Sequence, residues 1–102
     1  IMLKYIQEHF DEALSVRQIA ESVSVSESEC MRCFRNTIGI TPIAYLKSYR
    51  LQCAAELLEN TKDPVSDIGG RCGFLEMSYF SRAFRQVYGC TPSQYRANVQ
   101  KT

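Results

Sequence analysis

The chain repeats one stretch of sequence: RCFRNTIGITPIAYL at residues 32–46 returns as RAFRQVYGCTPSQYR at residues 82–96. Matching residues in this stretch lie 50 positions apart, as in Gly39 and Gly89. Further upstream the interval is 49, as in Ile19 and Ile68, so one residue is inserted in the second copy near residues 73–76. A repeat of this length predicts two copies of one structural unit.

Each copy is predicted to form two helices and the start of a third. Ser15 with Gln18, and Ser26 with Glu29, have the spacing of a capping box at a helix start. Gly39 is suited to end the second helix, and the Thr-Pro pair at residues 41–42 begins a long helix to about residue 59. The second copy repeats this plan, with helices over about residues 65–72 and 76–88 and a last one from residue 91. An amphipathic helix near residues 2–9 precedes both copies.

The predicted fold class is therefore all-α, with seven helices forming two helix-turn-helix units joined by a long central helix. One domain spans residues 1–102, with the first unit at about 1–40, the linker helix at 42–59 and the second unit at 63–102. Apolar residues at helical spacing on the second helix of each unit are predicted to be buried: Cys30, Cys33, Phe34, Ile38, Phe80, Ala83, Phe84 and Val87.

Composition excludes several classes of protein. With 102 residues, 45% hydrophobic and 23% charged, the chain matches an ordinary soluble domain. It has no apolar run long enough to span a membrane, and because it begins with Ile1 we expect a piece of a longer protein. A net charge of +1 is weak evidence for nucleic acid, but residues 81–102 contain no acid and four cations: Arg82, Arg85, Arg96 and Lys101.

The second helix of each copy presents the same polar stripe on one face. Small residues near the start of such a helix permit close approach to DNA, and arginine further along binds guanine or phosphate. For any single arginine a solvent-exposed role is the more common explanation, but repetition on two helices favours DNA recognition in the major groove. The two stripes consist of Ser28, Met31, Arg32 and Arg35, and of Ser78, Ser81, Arg82 and Arg85.

The stretch GFLEMSYFSRAFRQVYGCTPSQYR at residues 73–96 resembles the signature of the AraC/XylS transcription regulators, and YLKSYRLQCAAELL at residues 45–58 is also similar. The resemblance implies a seven-helix DNA-binding domain whose two units read successive major-groove segments. It implies base-facing roles for Ser28, Met31, Arg32, Met77, Ser78, Ser81 and Arg82. It implies contacts to the DNA backbone around Arg35, Thr41, Lys47, Arg85 and Thr91.

The resemblance also implies a cytoplasmic regulator, such as an activator that works with RNA polymerase when full length, with a sensor or receiver domain outside this chain. Activation and repression both remain open. The isolated domain is expected to be a monomer that binds double-stranded DNA without a cofactor. The alternative is a helical protein-interaction module that has lost DNA binding. An enzyme is not expected, because the sequence has no catalytic constellation.

Two features are expected to lower the stability of helices in the second copy. Gly69 and Gly70 each cost about 1 kcal/mol of helix stability against alanine, although Gly69 corresponds to Ala20 in the first copy and predicts close helix packing. Glu76 stands where a shorter polar residue would cap the next helix better. The rival interpretation draws its support from these glycines and from the near-neutral charge.

Five cysteines and a lone His9 raise the question of a zinc or redox site. Cys30 and Cys33 correspond to Phe80 and Ala83 in the second copy, so both are predicted to lie in the core rather than to bind metal. Cys90, which follows Gly89, is expected to be the most exposed thiol. No metal ligand and no disulfide is assigned.

We therefore predict that neither a chelator nor a reductant changes the thermal unfolding midpoint of the chain. The physical reason is that metal binding, where it exists, is part of the folding free energy. Melts with and without each reagent check this, and a lower midpoint in the chelator would contradict it.

Overall fold

The computed structural model describes residues 2–12 and 14–100. Lys101, counted above among the C-terminal cations, and residues 1, 13 and 102 of the predicted domain bounds lie outside the described residues. Within the described residues the fold is all-α, as predicted, and its seven helices are α1 Met2–His9, α2 Val16–Ser22, α3 Glu27–Thr37, α4 Pro42–Asn60, α5 Val65–Arg71, α6 Met77–Tyr88 and α7 Pro92–Val99.

The chain divides into two compact units, Ile1–Tyr49 and Arg50–Thr102, and the division falls within α4. The finer bounds predicted above for the two helix-turn-helix units and the linker helix stay predictions. Both units contain a helix-turn-helix, α2–α3 in the first and α5–α6 in the second.

The first unit is built on two capping boxes. The Ser15 Oγ accepts a hydrogen bond from the Gln18 backbone N–H at 3.3 Å, while the Gln18 side chain accepts from the Ser15 N–H at 2.9 Å. Ser26 and Glu29 form the same reciprocal pair at the start of α3. Both predicted boxes are confirmed. The core of this unit combines the buried stripes of α2 and α3 with one residue each from α1 and α4: Ile6, Ile19, Ala20, Cys30, Phe34 and Leu46.

The turn between the two helices of each unit locates the inserted residue. The Val25 N–H donates to the Ala20 carbonyl at 3.1 Å, and the Phe74 N–H donates to the Gly69 carbonyl at 3.0 Å. These turns match at an interval of 49, whereas the following N-cap residues, at positions 26 and 76, match at 50. The extra residue is therefore Leu75, whose side chain is 96% exposed.

Close packing in the second unit explains the first of the two glycines. A Cβ placed on Gly69 would lie 2.9 Å from the Cδ2 atom of the buried Phe80 ring, whereas one placed on Gly70 would meet nothing within 4 Å. Gly69 is therefore required by the approach of α5 to α6, while Gly70 is not. The role predicted for Gly69 is confirmed.

The last helix holds the C-terminal end of α4 within the second unit. The Tyr95 hydroxyl donates to the Glu59 carboxylate at 2.8 Å. The Gln100 amide donates to the carbonyl of Leu58 at 2.7 Å and to that of Thr61 at 3.0 Å. These bonds satisfy carbonyl groups at and just beyond the end of α4, which have no partner within the helix.

Three residues predicted to be buried are exposed. Cys33 lies about 60° around α3 from Cys30 and about 100° from Phe34, at the solvent side of the buried stripe. Ile38 is 37% exposed because α3 ends at Thr37 and helical spacing no longer applies.

Val87, the third of these residues, is 60% exposed although its spacing on α6 matches the buried stripe. The ring of the adjacent Tyr88 covers the core there instead, stacked 4.4 Å from Phe84 and packed 5.3 Å from Tyr95. Helical spacing therefore assigned Val87 to the wrong environment at the end of α6.

The two glycines of α5 give matched stability predictions. We expect Gly69→Ala to lower the free energy of unfolding by about 1–3 kcal/mol, because the new methyl group overpacks the Phe80 ring. We expect Gly70→Ala to raise it by up to about 1 kcal/mol through helix propensity. Urea unfolding of both variants checks this, and equal effects of the two substitutions would contradict the packing argument.

The bond from Tyr95 to Glu59 predicts a pH dependence of stability. This hydrogen bond raises the pKa of Tyr95 to about 12, above the ordinary value of about 10. Its contribution is therefore complete below pH 10 and is lost as the pH rises toward 12. We expect Tyr95→Phe to lower the free energy of unfolding by about 1 kcal/mol at pH 7, and by less as the pH rises above 10. Urea melts across that range measure the difference, and a difference independent of pH would contradict the assignment.

Candidate nucleic-acid interface

The polar face of α3 is presented to solvent, as its sequence predicted. Ser28, Arg32 and Arg35 are exposed, and Met31 is 38% exposed. The capping box of Ser26 starts the helix, and Ser28, Met31 and Arg32 lie in its first two turns, with Arg35 in its last turn.

The equivalent face of α6 is similar, with one difference. Ser78, Arg82 and Arg85 are exposed and Met77 is 37% exposed, but Ser81 is half-buried. Ser81 is therefore less exposed than its place on the predicted stripe indicated, and it lies at the edge of the exposed face, next to the buried Phe80 in the sequence.

The arginines of both faces are available to a ligand. Within residues 2–12 and 14–100, no carboxylate or other group forms an ion pair or hydrogen bond with the guanidinium of Arg32, Arg35, Arg82 or Arg85. Each guanidinium can therefore present its fork of N–H donors to guanine or to phosphate.

The two threonines expected near the DNA backbone are helix N-caps. The Thr41 Oγ1 accepts from the Ala44 N–H at 3.2 Å, and the Thr91 Oγ1 accepts from the Gln94 N–H at 3.2 Å. Both mark helix N-termini, whose positive dipole end favours phosphate. Lys47 is half-buried on α4. The roles assigned to these three residues stay predictions.

Arg96 is half-buried and bonds within the second unit. Its guanidinium donates to the Asp63 backbone carbonyl at 2.6 Å across 33 residues of sequence. Arg96 therefore helps to hold the loop before α5, and only part of the basic C-terminal segment can serve a ligand. This contact joins residues distant in sequence, so no local pattern indicated it.

The cysteines lie differently from the prediction in two cases. Cys33 is the exposed thiol, whereas Cys90 is half-buried. Burial raises the pKa of the Cys30 thiol, and it raises that of Cys72 to about 11, which disfavours the thiolate that metals bind. In the part of the chain that the structure describes, no three histidine, cysteine, aspartate or glutamate side chains are grouped to hold a metal ion.

Among residues 2–12 and 14–100, none of the helices combines the length and the apolar character that a membrane span needs.

Comparison with known proteins identifies relatives over almost the whole chain. A family model described as a helix-turn-helix domain matches residues 19–98. The arabinose operon regulatory protein of Escherichia coli is 31% identical over 99 residues, which are 96% of this chain and 34% of that protein. The chain spans about a third of the length of the curated relatives it matches.

Two solved structures share the fold. A transcriptional regulator from Chromobacterium violaceum, described as containing an AraC-type DNA-binding domain, has a TM-score of 0.90 and 32% identity over 96% of this chain and 88% of that one. The DNA-binding domain of the global transcriptional factor AdpA, in complex with a target DNA, has a TM-score of 0.93 and 30% identity. That match covers 98% of this chain and 90% of that one.

Proposed function

The chain belongs to the AraC type of helix-turn-helix DNA-binding domains, and we propose that α3 and α6 both enter the major groove of one duplex. Sequence-specific binding of double-stranded DNA by a transcription regulator is the function of this family. The family consists of DNA-binding regulators rather than enzymes.

One observation carries the proposal: two helices in equivalent units present arginines at equivalent positions, exposed and without an ion-pair partner in the described residues. Arg32 and Arg35 on α3 correspond to Arg82 and Arg85 on α6. A helix face that only contacts solvent does not need arginines at fixed positions. Two recognition helices that bind one duplex do need them, because both meet the same base edges and phosphates.

The side chains on each face divide into two roles. Residues near the start of each helix face the bases, because the N-terminal part of a recognition helix lies deepest in the groove. Those nearer the end, together with the caps of α4 and α7, hold phosphates. The base-facing set is Ser28, Met31, Arg32, Met77, Ser78, Ser81 and Arg82; the backbone set is Arg35, Thr41, Lys47, Arg85 and Thr91.

The isolated domain binds DNA as a monomer, since each chain already carries two reading helices. In the full-length protein, which acts in the cytoplasm, RNA polymerase is the partner through which a DNA-bound regulator changes transcription.

Substitution of two arginines on one helix tests the assignment of roles. We expect Arg82→Ala to weaken the best site and to relax preference at one base pair by about 1–3 kcal/mol. We expect Arg85→Ala to weaken binding to all sequences alike. Each phosphate contact contributes about −0.9 to the slope of log K against log salt, so losing one contact should make that slope shallower by about 1. Fluorescence anisotropy on a library of single substitutions in a selected site measures both effects.

The outcome separates the possible functions. If Arg82→Ala weakens every site equally, Arg82 binds phosphate and the base-facing assignment is wrong. If the unaltered chain binds all sequences weakly and equally, the protein-interaction alternative is favoured instead.

A further inference from the structure

We propose that Glu27 determines specificity by selecting a cytosine in the half of the DNA site that α3 reads. The inference rests on the proposed function, because it requires α3 to lie in the major groove. It adds a base-reading residue to the set above and names the base.

Glu27 occupies the deepest position on the reading face of α3. It is the first residue of the helix, and it precedes Met31 and Arg35 at intervals of four, so the three lie in one column. The Glu27 side chain is exposed. Because the N-terminal residues of a recognition helix reach the base edges, this carboxylate lies ahead of Met31 in the direction of the bases.

The Glu27 carboxylate lies in the first turn of α3, where it interacts favourably with the positive end of the helix dipole, but it has no bonded partner among the residues that the structure describes. The neighbouring acid, Glu29, is used by the capping box, in which its carboxylate accepts from the Ser26 hydroxyl at 3.1 Å. The nearby Arg17 pairs with Glu21 at 3.1 Å. Glu27 itself makes no ion pair or side-chain hydrogen bond within residues 2–12 and 14–100, so its oxygens are open to a donor.

The chemistry of the base edges then selects cytosine. An ionised carboxylate only accepts hydrogen bonds. In the major groove, guanine presents two acceptors and thymine presents an acceptor and a methyl group, and neither offers a donor. Adenine offers the N6 amino group beside the N7 acceptor, which repels a carboxylate. Cytosine offers the N4 amino group without such an acceptor on the same base, and it is the natural partner of glutamate.

The second unit differs at this position. Met77 begins α6 as Glu27 begins α3, and it is 37% exposed. A thioether cannot favour the cytosine amino group, and its apolar surface fits a thymine methyl group. The two units therefore prefer different bases at equivalent steps, which lets an asymmetric site fix the orientation of the domain.

Two isosteric variants test the inference, since each removes one negative charge from the first turn of α3. Glu27→Gln removes the proposed cytosine acceptor and adds a donor that suits adenine. Glu29→Gln is the matched control, because glutamine fills the same place in the capping boxes at Gln18 and Gln94. Binding of the 102-residue chain to a library with every base at each position of a selected site is measured for all three proteins.

We expect the preference for cytosine over the other bases at one position to fall on the order of tenfold in Glu27→Gln, with adenine gaining. In Glu29→Gln the base preferences should stay unchanged. Loss of one negative charge raises the affinity of both variants for all sequences. Comparing Glu27→Gln with Glu29→Gln therefore removes this charge effect and leaves the change in base preference. Circular dichroism melts confirm that both variants fold.

Equal changes at every base in the two variants would overturn the inference, because Glu27 would then contribute charge alone. A Glu27→Gln protein that keeps its full cytosine preference would also overturn it. Failure of the unaltered chain to discriminate any sequence is a different result, since it contradicts the proposed function itself.

Discussion

The direction of α6 depends on one close contact, that of Gly69 with the ring of Phe80. Any side chain at residue 69 would displace that ring, and the carbonyl of the same glycine closes the turn by accepting from the Phe74 N–H. One residue thus brings α5 and α6 together and ends the turn between them. Ala20 accepts the equivalent turn bond in the first unit and is also buried, so a small residue occupies this position in both units.

The two units begin α3 and α6 by different means. In the first, the capping box of Ser26 and Glu29 satisfies backbone donors and defines the first turn of α3. In the second, Glu76 makes no side-chain bond to the start of α6, and the inserted Leu75 precedes it. The rings of Phe74 and Phe80, 4.8 Å apart, hold this end of the helix instead. Hydrogen bonding in the first unit and aromatic packing in the second therefore stabilise the same helix-turn-helix arrangement, although the two copies of the repeat have diverged in sequence.

The sequence predicted most of the fold because its signals are local. Capping boxes, helix-ending glycines and Thr-Pro pairs act within a few residues, and each was found where predicted. Burial at helix ends was harder to predict, as Ile38 and Val87 show. Ile38 is exposed because α3 ends one residue before it, and Val87 is exposed because the ring of Tyr88 packs on Phe84 instead. Contacts such as that of Arg96 with the Asp63 carbonyl join distant segments, so only a structure could separate Arg96 from the arginines that face outward.

The near-neutral net charge of +1 does not describe the local charge at the arginine-bearing faces of α3 and α6, because the acids and the arginines are bonded differently. Several carboxylates are bonded within their own unit, by a helix cap, a tyrosine hydroxyl, a histidine ring or an arginine: Glu12, Glu21, Glu29, Glu59 and Asp63. The exposed arginines of α3 and α6 lack such partners in the described residues. Since salt screens charges beyond about 10 Å at 0.1 M, a phosphate at α3 or α6 responds to the local arginines rather than to the total. Glu27 is the local exception: its unpaired carboxylate interacts favourably with the dipole of α3 but weakens phosphate attraction at the start of that helix.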